Sequence, residues 1–487
     1  MDYNQFKQLA KEEYTAIPVH RTLMADTVTP VSLFLKLREG NRYPFLFESV
    51  EGGEHLARYS FLGCNPYQVL DYKDQITTLT LKGKTGEILE GNFYDILKSM
   101  TGNFREPELP NIPRLTGGAV GYSAYDTVRM AENLPNVPDD DLHLPEAIWA
   151  FYDEIYAFDH VKHRIILIKT VFTDNSDDLE ILYHNAHSAL DSMEKNTKII
   201  VKEDLPFSIS GGKPESNTSR DEFCQKVLRA KEYIKEGDIF QVVLSQRFKT
   251  NFEGDRFMLY RALRMVNPSP YLFYLEFHDF SLVGSSPEVL VRVLDGEAQV
   301  LPIAGTRPRG ATTEEDLAYE QDLVNDPKEV AEHIMLVDLG RNDLSRICEP
   351  KTVKMQRNQV IERYSHVMHI VSDVSGRLSK GKHPIDALIH CFPAGTVSGA
   401  PKIRAMEIID ELETTKRGPY AGAVGYIDFS GNMDTCIAIR TMVATENAVY
   451  IQAGAGIVAD SIPENEYEET VNKAKALVEA LDLALEV

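Results

Sequence analysis

Apolar runs separated by short polar segments dominate the last third of the chain. Three of them, AGAVGYIDF, CIAIRTMVA and AVYIQAG, are joined by DFSGNMD and TEN. Parallel strands need a dozen or more residues to cross over, so joins this short predict antiparallel hairpins. Further strand-like runs lie at 239–249, 271–277 and 299–304.

Helix signals alternate with these runs in an irregular order. Ser219 and Glu222 have the spacing of a capping box ahead of a helix. Asp326 is a typical N-cap residue, and Pro327 suits the first helical position because its missing N–H would have no partner there. A last helix should follow Pro463. Hairpins and helices without regular βαβ alternation predict an α+β fold.

The chain divides near its middle at SISGGKPESNTSR, residues 208–220, which reads as a linker because Gly, Ser, Pro and Asn prevail there. A chain of 487 residues exceeds the usual size of one hydrophobic core. We therefore predict a two-part chain, residues 1–207 and 219–487. In the first part, the predicted elements are helices at Phe6–Tyr14 and Pro30–Arg38, two strands around an acidic turn within Phe45–Gly63, and strands at Gly117–Tyr122 and Ile148–Phe158.

Charge narrows the choice of partner. The formal net charge is −23 at pH 7, which argues against nucleic acid or an anionic membrane because phosphate binding needs an excess of lysine and arginine. An anionic substrate would need a locally positive site made by arginine, lysine or a metal. The five cysteines are widely spaced without a CxxC pair, which fits reduced thiols. Without a signal-peptide pattern or a long apolar run, we expect a soluble, cytoplasmic protein without membrane contact.

Two glutamate pairs are candidates for metal binding. Glu329 and Glu332 are three residues apart in one predicted helix, and Glu466 and Glu469 have the same spacing in the last one. Residues at i and i+3 share a helix face, so each pair could direct two carboxylates at one point. Oxygen ligands without cysteine or histidine suit Mg²⁺. From spacing alone, however, two solvated helix faces are the commoner explanation.

Glycine-containing segments and one arginine are further candidates. Gly305 and Thr306, in PIAGTRPRG, could donate to a carboxylate or belong to a plain turn. The segment FPAGTVSGAPK could bind an anion or simply begin a helix. Residues 454–459, GAGIVA, formally match a dinucleotide-binding fingerprint, but no helix opens directly from them, so a tight turn close to a ligand is the better interpretation. Arg440 lies within an apolar run and needs an anionic partner.

Seven strings, LPIAGTRPRG, KEVAEHIMLVDLGRNDL, FPAGTVSGAPK, RGPYAGAVGY, IAIRT, QAGAGIVADS and EYEETVNKA, occur in this order between Ser219 and Val487. Together they resemble the chorismate-utilising enzymes. The resemblance implies large antiparallel sheets flanked by helices, chorismate as substrate and Mg²⁺ as cofactor. It also reverses the solvated-face interpretation of the glutamates.

The resemblance further implies roles for individual residues. Glu332 and Glu469 match ligands of Mg²⁺, which would chelate the ring carboxylate of chorismate, with Glu329 and Glu466 behind them or acting through water. Glu288 matches the general acid for the departing C4 hydroxyl, a poor leaving group without a proton donor. The positions that match substrate contacts are Arg440, Tyr420 and the backbone at Gly456 for the enolpyruvyl side chain, Gly454 beside them, Lys473 near the ring carboxylate, and Gly305, Thr306, Thr396 and His369 around the ring.

Two positions indicate which member of the family the chain resembles. Ala304 stands where some members carry a nucleophilic lysine, and Gln241 stands where water-using members carry a general-base lysine. Both imply ammonia as the nucleophile at C2, followed by loss of pyruvate to give anthranilate. The alternatives are an aminodeoxyisochorismate or aminodeoxychorismate synthase, or a catalytically inactive homologue that only binds tryptophan.

The source of ammonia and the regulation also follow from the resemblance. None of the five cysteines has the GxCxGxQ context of an amidotransferase, so a separate glutamine amidotransferase subunit is expected. Glu48 and Ser49, with Pro270, Tyr271 and Leu272, resemble the split site at which L-tryptophan inhibits such enzymes. Residues 1–207 would then be regulatory and 219–487 catalytic. The plain alternative is that Phe47–Ser49 only ends a strand.

Overall fold

The computed structural model describes residues 1–49, 58–174, 178–198, 205–210, 212–364 and 367–486. The acidic turn predicted within 45–63 falls largely outside these ranges. The α-helices are α1 Tyr3–Lys11, α2 Pro30–Arg38, α3 Phe93–Thr101, α4 Leu179–Thr197, α5 Arg220–Glu236, α6 Phe257–Val266, α7 Thr313–Asn325, α8 Pro327–Ser345, α9 Pro384–Cys391, α10 Lys402–Leu412 and α11 Pro463–Ala484.

Strands form two large, antiparallel sheets, which confirms the predicted fold class. The first sheet contains, in spatial order, β1 Ala16–Met24, β10 Arg164–Phe172, β9 Glu154–Asp159, β3 Tyr59–Gly63, β2 Phe45–Glu48, β14 Tyr271–Glu276, β15 Ser281–Ser286, β24 Thr441–Ala444, β25 Ala448–Ile457, β13 Gln241–Gly254 and β11 Phe207–Ile209, with β12 Glu215–Ser216 and β21 Gly399–Ala400 also on β13. The second contains β18 Ile303–Pro308, β20 Val367–Arg377, β17 Glu297–Val300, β16 Val289–Leu294, β23 Met433–Ile437, β22 Ala423–Asp428, β7 Gly118–Ser123, β8 Ala147–Tyr152, β4 Gln68–Lys73, β5 Ile76–Leu81 and β6 Glu87–Leu89, with β19 Lys354–Arg363 beside β20.

The two sheets face each other, and helices cover their outer faces. Alternate residues of β10 show the arrangement, because successive side chains of a strand point to opposite faces. Ile166 belongs to a core cluster built from strands of both sheets. Leu167 belongs to a second cluster, shared with α1, α2, α4, α6 and α11. A third cluster packs α3, α8, α9 and α10 on the other sheet.

Strands from both sides of the 208–220 linker join in each sheet. Strand β2 pairs with β14 in the first sheet, and β7 pairs with β22 in the second. Residues 1–207 and 219–487 are therefore interleaved within one pair of sheets. The assignment of regulatory and catalytic roles to the two ranges stays a prediction.

Local signals in the second half are confirmed where they concern helix ends and hairpins. Ser219 and Glu222 form the expected capping box, and the Asp326 side chain caps a helix that begins at Pro327. The last helix begins at Pro463. Strand β22 pairs with β23, and β24 pairs with β25, as antiparallel neighbours.

Some details of the predicted strands and turns were wrong. The strand predicted at Ile148–Phe158 is β8 and β9, which lie in different sheets. The run CIAIRTMVA is not one strand: it is β23 and β24, which lie in different sheets, and Arg440 stands between them with φ +51°. Gly454 and Gly456 lie inside β25 rather than in a tight turn. The PIAGTRPRG segment contains strand β18, with an irregular register around Gly305 at φ +70°.

Candidate active site

A cavity of about 1040 Å³ opens where the chain passes from one sheet to the other. Glu288 stands between β15 of the first sheet and β16 of the second, and Arg440 stands between β24 and β23 in the same way. The two crossings are hydrogen-bonded: the N–H of Ile437 donates to the Glu288 carbonyl at 3.0 Å, and that of Ser285 to the Arg440 carbonyl at 3.0 Å. Sheet crossing thus brings a carboxylic acid and a guanidinium to one cavity.

The cavity collects every residue that the sequence pointed to for catalysis, substrate binding or metal binding. Elements far apart along the chain contribute them, namely β13, β18, β20, the 395–397 turn, α8, β25 and α11. Those lining residues are Gln241, Glu288, Gly305, Thr306, Glu329, Glu332, His369, Thr396, Tyr420, Arg440, Gly454, Gly456, Glu466, Glu469 and Lys473. Their shared location is a fact of the structure, whereas their individual roles stay predictions.

Among the carboxyls that line the cavity, Glu288 is the one best suited to carry a proton at neutral pH. Burial, which disfavours the charged form, raises its pKa from 4.5 to about 7. The Thr396 hydroxyl donates to Glu288 Oε1 at 2.8 Å and acts in the opposite direction, as do the positive charges of Arg440 and Lys473. A carboxyl poised near neutrality is able to act as a general acid.

Two helices bring four glutamates to the cavity, two from α8 and two from α11. Burial is the largest cause that raises the pKa of Glu329 and of Glu466. Repulsion from Glu332 raises the pKa of Glu329 further, and repulsion from Glu469 does the same for Glu466. Glu332 Oε1 accepts from Gln241 Nε2 at 3.3 Å, and Glu469 Oε1 pairs with Lys473 Nζ at 2.6 Å.

This donor set fits a hard divalent cation. All four candidate ligands offer carboxylate oxygens, and the mutual repulsion within each pair would be relieved by added positive charge. Within the described ranges, no three of these carboxylates lie within 4.8 Å of one another. Mg²⁺ takes one or two carboxylates and completes its shell with water and substrate oxygens, so a site for it does not require three carboxylates in contact.

His369 reaches the cavity as a neutral ring. Its pKa is lowered, chiefly because the ring is buried. Nδ1 lies 3.0 Å from the Gly305 carbonyl oxygen and 3.1 Å from Thr306 Oγ1. A carbonyl only accepts, so Nδ1 carries the proton and Nε2 keeps its lone pair.

Arg440 and two glycines also line the cavity. Burial lowers the pKa of Arg440, while Tyr420, Glu288 and Glu469 favour its charged form. Among the residues described, no carboxylate forms a salt bridge with this guanidinium, so an anionic ligand could supply the missing partner.

Close contacts across β25 disfavour a side chain at Gly454 and at Gly456. A Cβ at Gly454 would lie 2.7 Å from the Tyr420 hydroxyl, and one at Gly456 would lie 2.4 Å from Gln241 Nε2. The signal for these glycines is therefore steric contact with other elements, which the local spacing GAG does not reveal.

A second, smaller cavity of about 420 Å³ contains all five predicted tryptophan-site residues, Glu48, Ser49, Pro270, Tyr271 and Leu272. The Tyr260 hydroxyl donates to Glu48 Oε2 at 2.6 Å, and Arg264 Nε lies 3.0 Å from the same oxygen. The buried Ser49 hydroxyl has no hydrogen-bond partner within the described ranges. Pro270 lines both cavities.

Some lining residues were not predicted. Asn465 and Asn472 lie four residues before and three after Glu469 on α11, and both reach the larger cavity. Helical spacing from Glu469 would have indicated them. Lys328 also lines it. In the smaller cavity the unpredicted walls are Phe47, Tyr59, Phe61, Arg114, Phe273, Arg292, Leu294, Val424, Gly425, Tyr426, Asp434 and Cys436.

Within the part of the chain that the structure describes, no helix combines the length and the apolar character needed to cross a bilayer.

Comparison with known proteins places the chain among relatives of nearly the same length. Residues 43–479 match the family described as chorismate binding enzyme. The chain is 49% identical to anthranilate synthase component 1 of Acetivibrio thermocellus over 99% of both chains. It is 48% identical to the Synechocystis protein of the same name over 98% of both.

Solved structures agree with this placement. The crystal structure of anthranilate synthase component I from Streptococcus pneumoniae superimposes with a TM-score of 0.75 and 37% identity, covering 93% of this chain and 98% of that one. A menaquinone-specific isochorismate synthase from Escherichia coli, at 19% identity and a TM-score of 0.71, shares the fold. The chain therefore belongs to the chorismate-binding enzyme family and, within it, to the anthranilate synthase component 1 group.

Proposed function

We propose that this chain converts chorismate and ammonia to anthranilate, pyruvate and water. The observation that carries the proposal is the single cavity in which a protonatable Glu288 meets a cationic Arg440 and a Gln241 that replaces the lysine of water-using relatives. Relatives with nearly 50% identity bear the matching name.

In the first half-reaction, ammonia adds at C2 while the C4 hydroxyl departs. Glu288 donates its proton to that hydroxyl, which leaves as water, and 2-amino-2-deoxyisochorismate results. Ammonia brings its own lone pair and needs only positioning. Gln241 suits this task because its Oε1 is buried without a hydrogen-bond partner among the described residues and can accept an N–H.

In the second half-reaction, C2 loses its proton and the C3–O bond breaks as the ring becomes aromatic. The side chain leaves as the enolate of pyruvate, which takes up a proton to give pyruvate. His369 is suited to take the proton from C2, because Nδ1 is bound to the Gly305 carbonyl and Nε2 keeps a lone pair. Arg440, aided by Tyr420, is suited to hold the carboxylate of the departing side chain.

Mg²⁺ would be held by Glu332 and Glu469, with Glu329 and Glu466 acting through water. When bound, the metal neutralises the ring carboxylate of chorismate and so supports binding and charge development in the ring. Support comes from the all-oxygen donor set and from the repulsion within each glutamate pair.

We further propose that a glutamine amidotransferase subunit supplies ammonia in the cytoplasm. The name component 1, borne by the relatives, implies a second component. All five cysteines are free thiols, and three of them are buried, which fits a reducing compartment.

L-Tryptophan is the proposed inhibitor, bound in the smaller cavity. Its indole would pack against the apolar wall, and its polar groups would meet Glu48 and the Ser49 hydroxyl, which has no hydrogen-bond partner among the described residues. Pro270 touches both cavities, so tryptophan could favour a conformation that binds chorismate less well.

The test is direct. The purified chain is incubated with chorismate, ammonium chloride and Mg²⁺, and the products are separated by chromatography. Anthranilate and pyruvate in equal amounts are expected, and chelation of the metal should stop their formation. Aminodeoxyisochorismate, aminodeoxychorismate or isochorismate as the main product would refute the assignment.

A further inference from the structure

Arg417 lies buried behind the wall of the larger cavity, with 2% of its surface exposed. Its guanidinium forms a two-pronged ion pair with Glu413, from Nε to Oε2 at 2.9 Å and from Nη2 to Oε1 at 2.7 Å. Burying such a pair costs desolvation free energy, and apolar residues of similar size often stabilise a fold at least as well. The free energy of folding alone therefore does not account for this buried pair, and the positions of the groups that it contacts have to be considered.

The other donors of Arg417 reach two backbone carbonyls from separate elements. Nη1 donates to the carbonyl of Val397 at 2.6 Å, and Nη2 donates to that of Val243 at 2.7 Å. Both valines line the larger cavity. Glu413 adds a tie of its own to β13, because its Oε1 accepts from the N–H and the hydroxyl of Ser245.

Each tethered segment carries a residue with a proposed part in the reaction. Val397 follows Thr396, whose hydroxyl donates to Glu288 at 2.8 Å. Val243 is two residues from Gln241, on the same face of β13. The Arg417 guanidinium therefore holds two segments in a fixed relation to each other. One is the 395–397 turn, whose Thr396 orients Glu288, and the other is strand β13, which carries Gln241.

Arg417 also contacts two aromatic rings. The Arg417 guanidinium carbon lies 5.6 Å from the ring centre of Tyr420, which lines the cavity, and 4.7 Å from that of Tyr125 in the first half of the chain. Both distances fit cation–π contact.

We propose that Arg417 is a positioning residue for the amination of chorismate, holding Thr396, Gln241 and Tyr420 in their relative places from behind the cavity wall. The proposal rests on the proposed function. Only a planar fork satisfies a carboxylate and two carbonyls from different elements at once, so lysine cannot replace it.

The experiment compares Arg417→Lys with Arg129→Lys. Arg129 makes an equally two-pronged pair with Asp410, at 2.7 and 2.8 Å. Its further contacts are the Leu134 carbonyl and the Asp126 carboxylate, and none of these residues lines the cavity. Misplacement of reacting groups by about 1 Å costs roughly 10²-fold in rate. We expect a loss of that size in kcat for Arg417→Lys and an unchanged kcat for Arg129→Lys, with melting temperatures recorded for both.

The pH profile separates positioning from general loosening. The Thr396 hydrogen bond lowers the pKa of Glu288, so its loss should raise that pKa. Activity that needs protonated Glu288 would then persist to higher pH. Arg440 and Lys473, the charged groups facing Glu288, are unchanged by the substitution. Arg417→Lys should therefore shift the alkaline limb upward as Thr396→Val does, and the double variant should shift it no further.

The outcomes are distinct. A wild-type chain that makes no anthranilate refutes the proposed function. A productive wild type with an Arg417→Lys variant of normal kcat and normal alkaline limb overturns the positioning role. If Arg417→Lys does not fold, Glu413→Gln replaces it, because this substitution weakens the ion pair between residues 413 and 417. Glu413→Gln must then shift the alkaline limb of the pH profile upward, and an unshifted limb overturns the positioning role.

Discussion

Replacing Glu288 with glutamine removes one proton donor from the cavity at nearly constant volume. Burial raises the pKa of Glu288 to about 7 from 4.5. With the ordinary pKa, only about 0.3% of molecules would carry the proton at pH 7, whereas a pKa near 7 leaves it on about half of them. Burial therefore increases the proton-bearing fraction by roughly 150-fold at neutral pH.

A general acid contributes about 10²–10⁴-fold to turnover, so kcat of Glu288→Gln should fall by that factor. KM for chorismate should change little, because the amide still accepts from Thr396. Wild-type activity should fall as pH rises through the pKa of Glu288, and the variant should lack this alkaline limb. The assay follows anthranilate fluorescence at saturating chorismate and Mg²⁺, with ammonium adjusted so that free ammonia stays constant at every pH.

Glu106→Gln is the matched control. Burial raises the pKa of Glu106 to about 7 as well, and its carboxylate accepts from the Thr116 and Ser430 hydroxyls, away from the larger cavity. This variant should keep its kcat. Turnover of Glu288→Gln within threefold of wild type, or an equal loss in Glu106→Gln, would refute the reasoning.

Three further outcomes are expected. Glu332→Gln or Glu469→Gln should lower activity by at least about 10²-fold while leaving the circular dichroism spectrum unchanged, because even outer partners of a metal site cost 10–100-fold; normal turnover at millimolar Mg²⁺ would contradict this. Gln241→Lys should depress ammonia-dependent anthranilate formation, because its ammonium would pair with Glu332, now 3.3 Å from the amide; unchanged kinetics would show that this side chain does not face the nucleophile. Ser49→Phe should fill the smaller cavity and relieve inhibition by tryptophan with little effect on uninhibited turnover, and calorimetry should show weaker tryptophan binding than in wild type.

Sequence reasoning succeeded where a structure depends on neighbours along the chain. The helix at Pro30–Arg38 has the predicted ends, and the capping box at Ser219 and Glu222 involves residues three apart. The long helix α4 was not predicted, although the Asp178 side chain caps it. Its sequence, LEILYHNAHSALDSMEKNT, mixes polar and apolar residues and buries only Ala186, Leu190 and Met193.

The sequence could not predict those features of the site that depend on contacts between distant segments of the chain. The i, i+3 spacing of glutamates could not show that α8 and α11 face one cavity, and only the resemblance to a family indicated it. The break at Arg440 was missed because an apolar run does not reveal that its two halves pair with different sheets. The need for Gly454 likewise arises from Tyr420, which approaches it from another segment.

The interleaving of the two ranges within both sheets has a consequence for how such chains change over evolution. Recombination at residues 208–220 would join a first half from one relative to a second half from another. In the hybrid protein, the two halves would pair with each other along β2 and β14 and along β7 and β22. A mismatch at Phe47 opposite Phe273, or at Val120 opposite Tyr426, would disturb the middle of a sheet rather than a hinge. If L-tryptophan inhibits as proposed, sensitivity to it is therefore expected to be inherited with the whole chain and not exchanged as a separate domain.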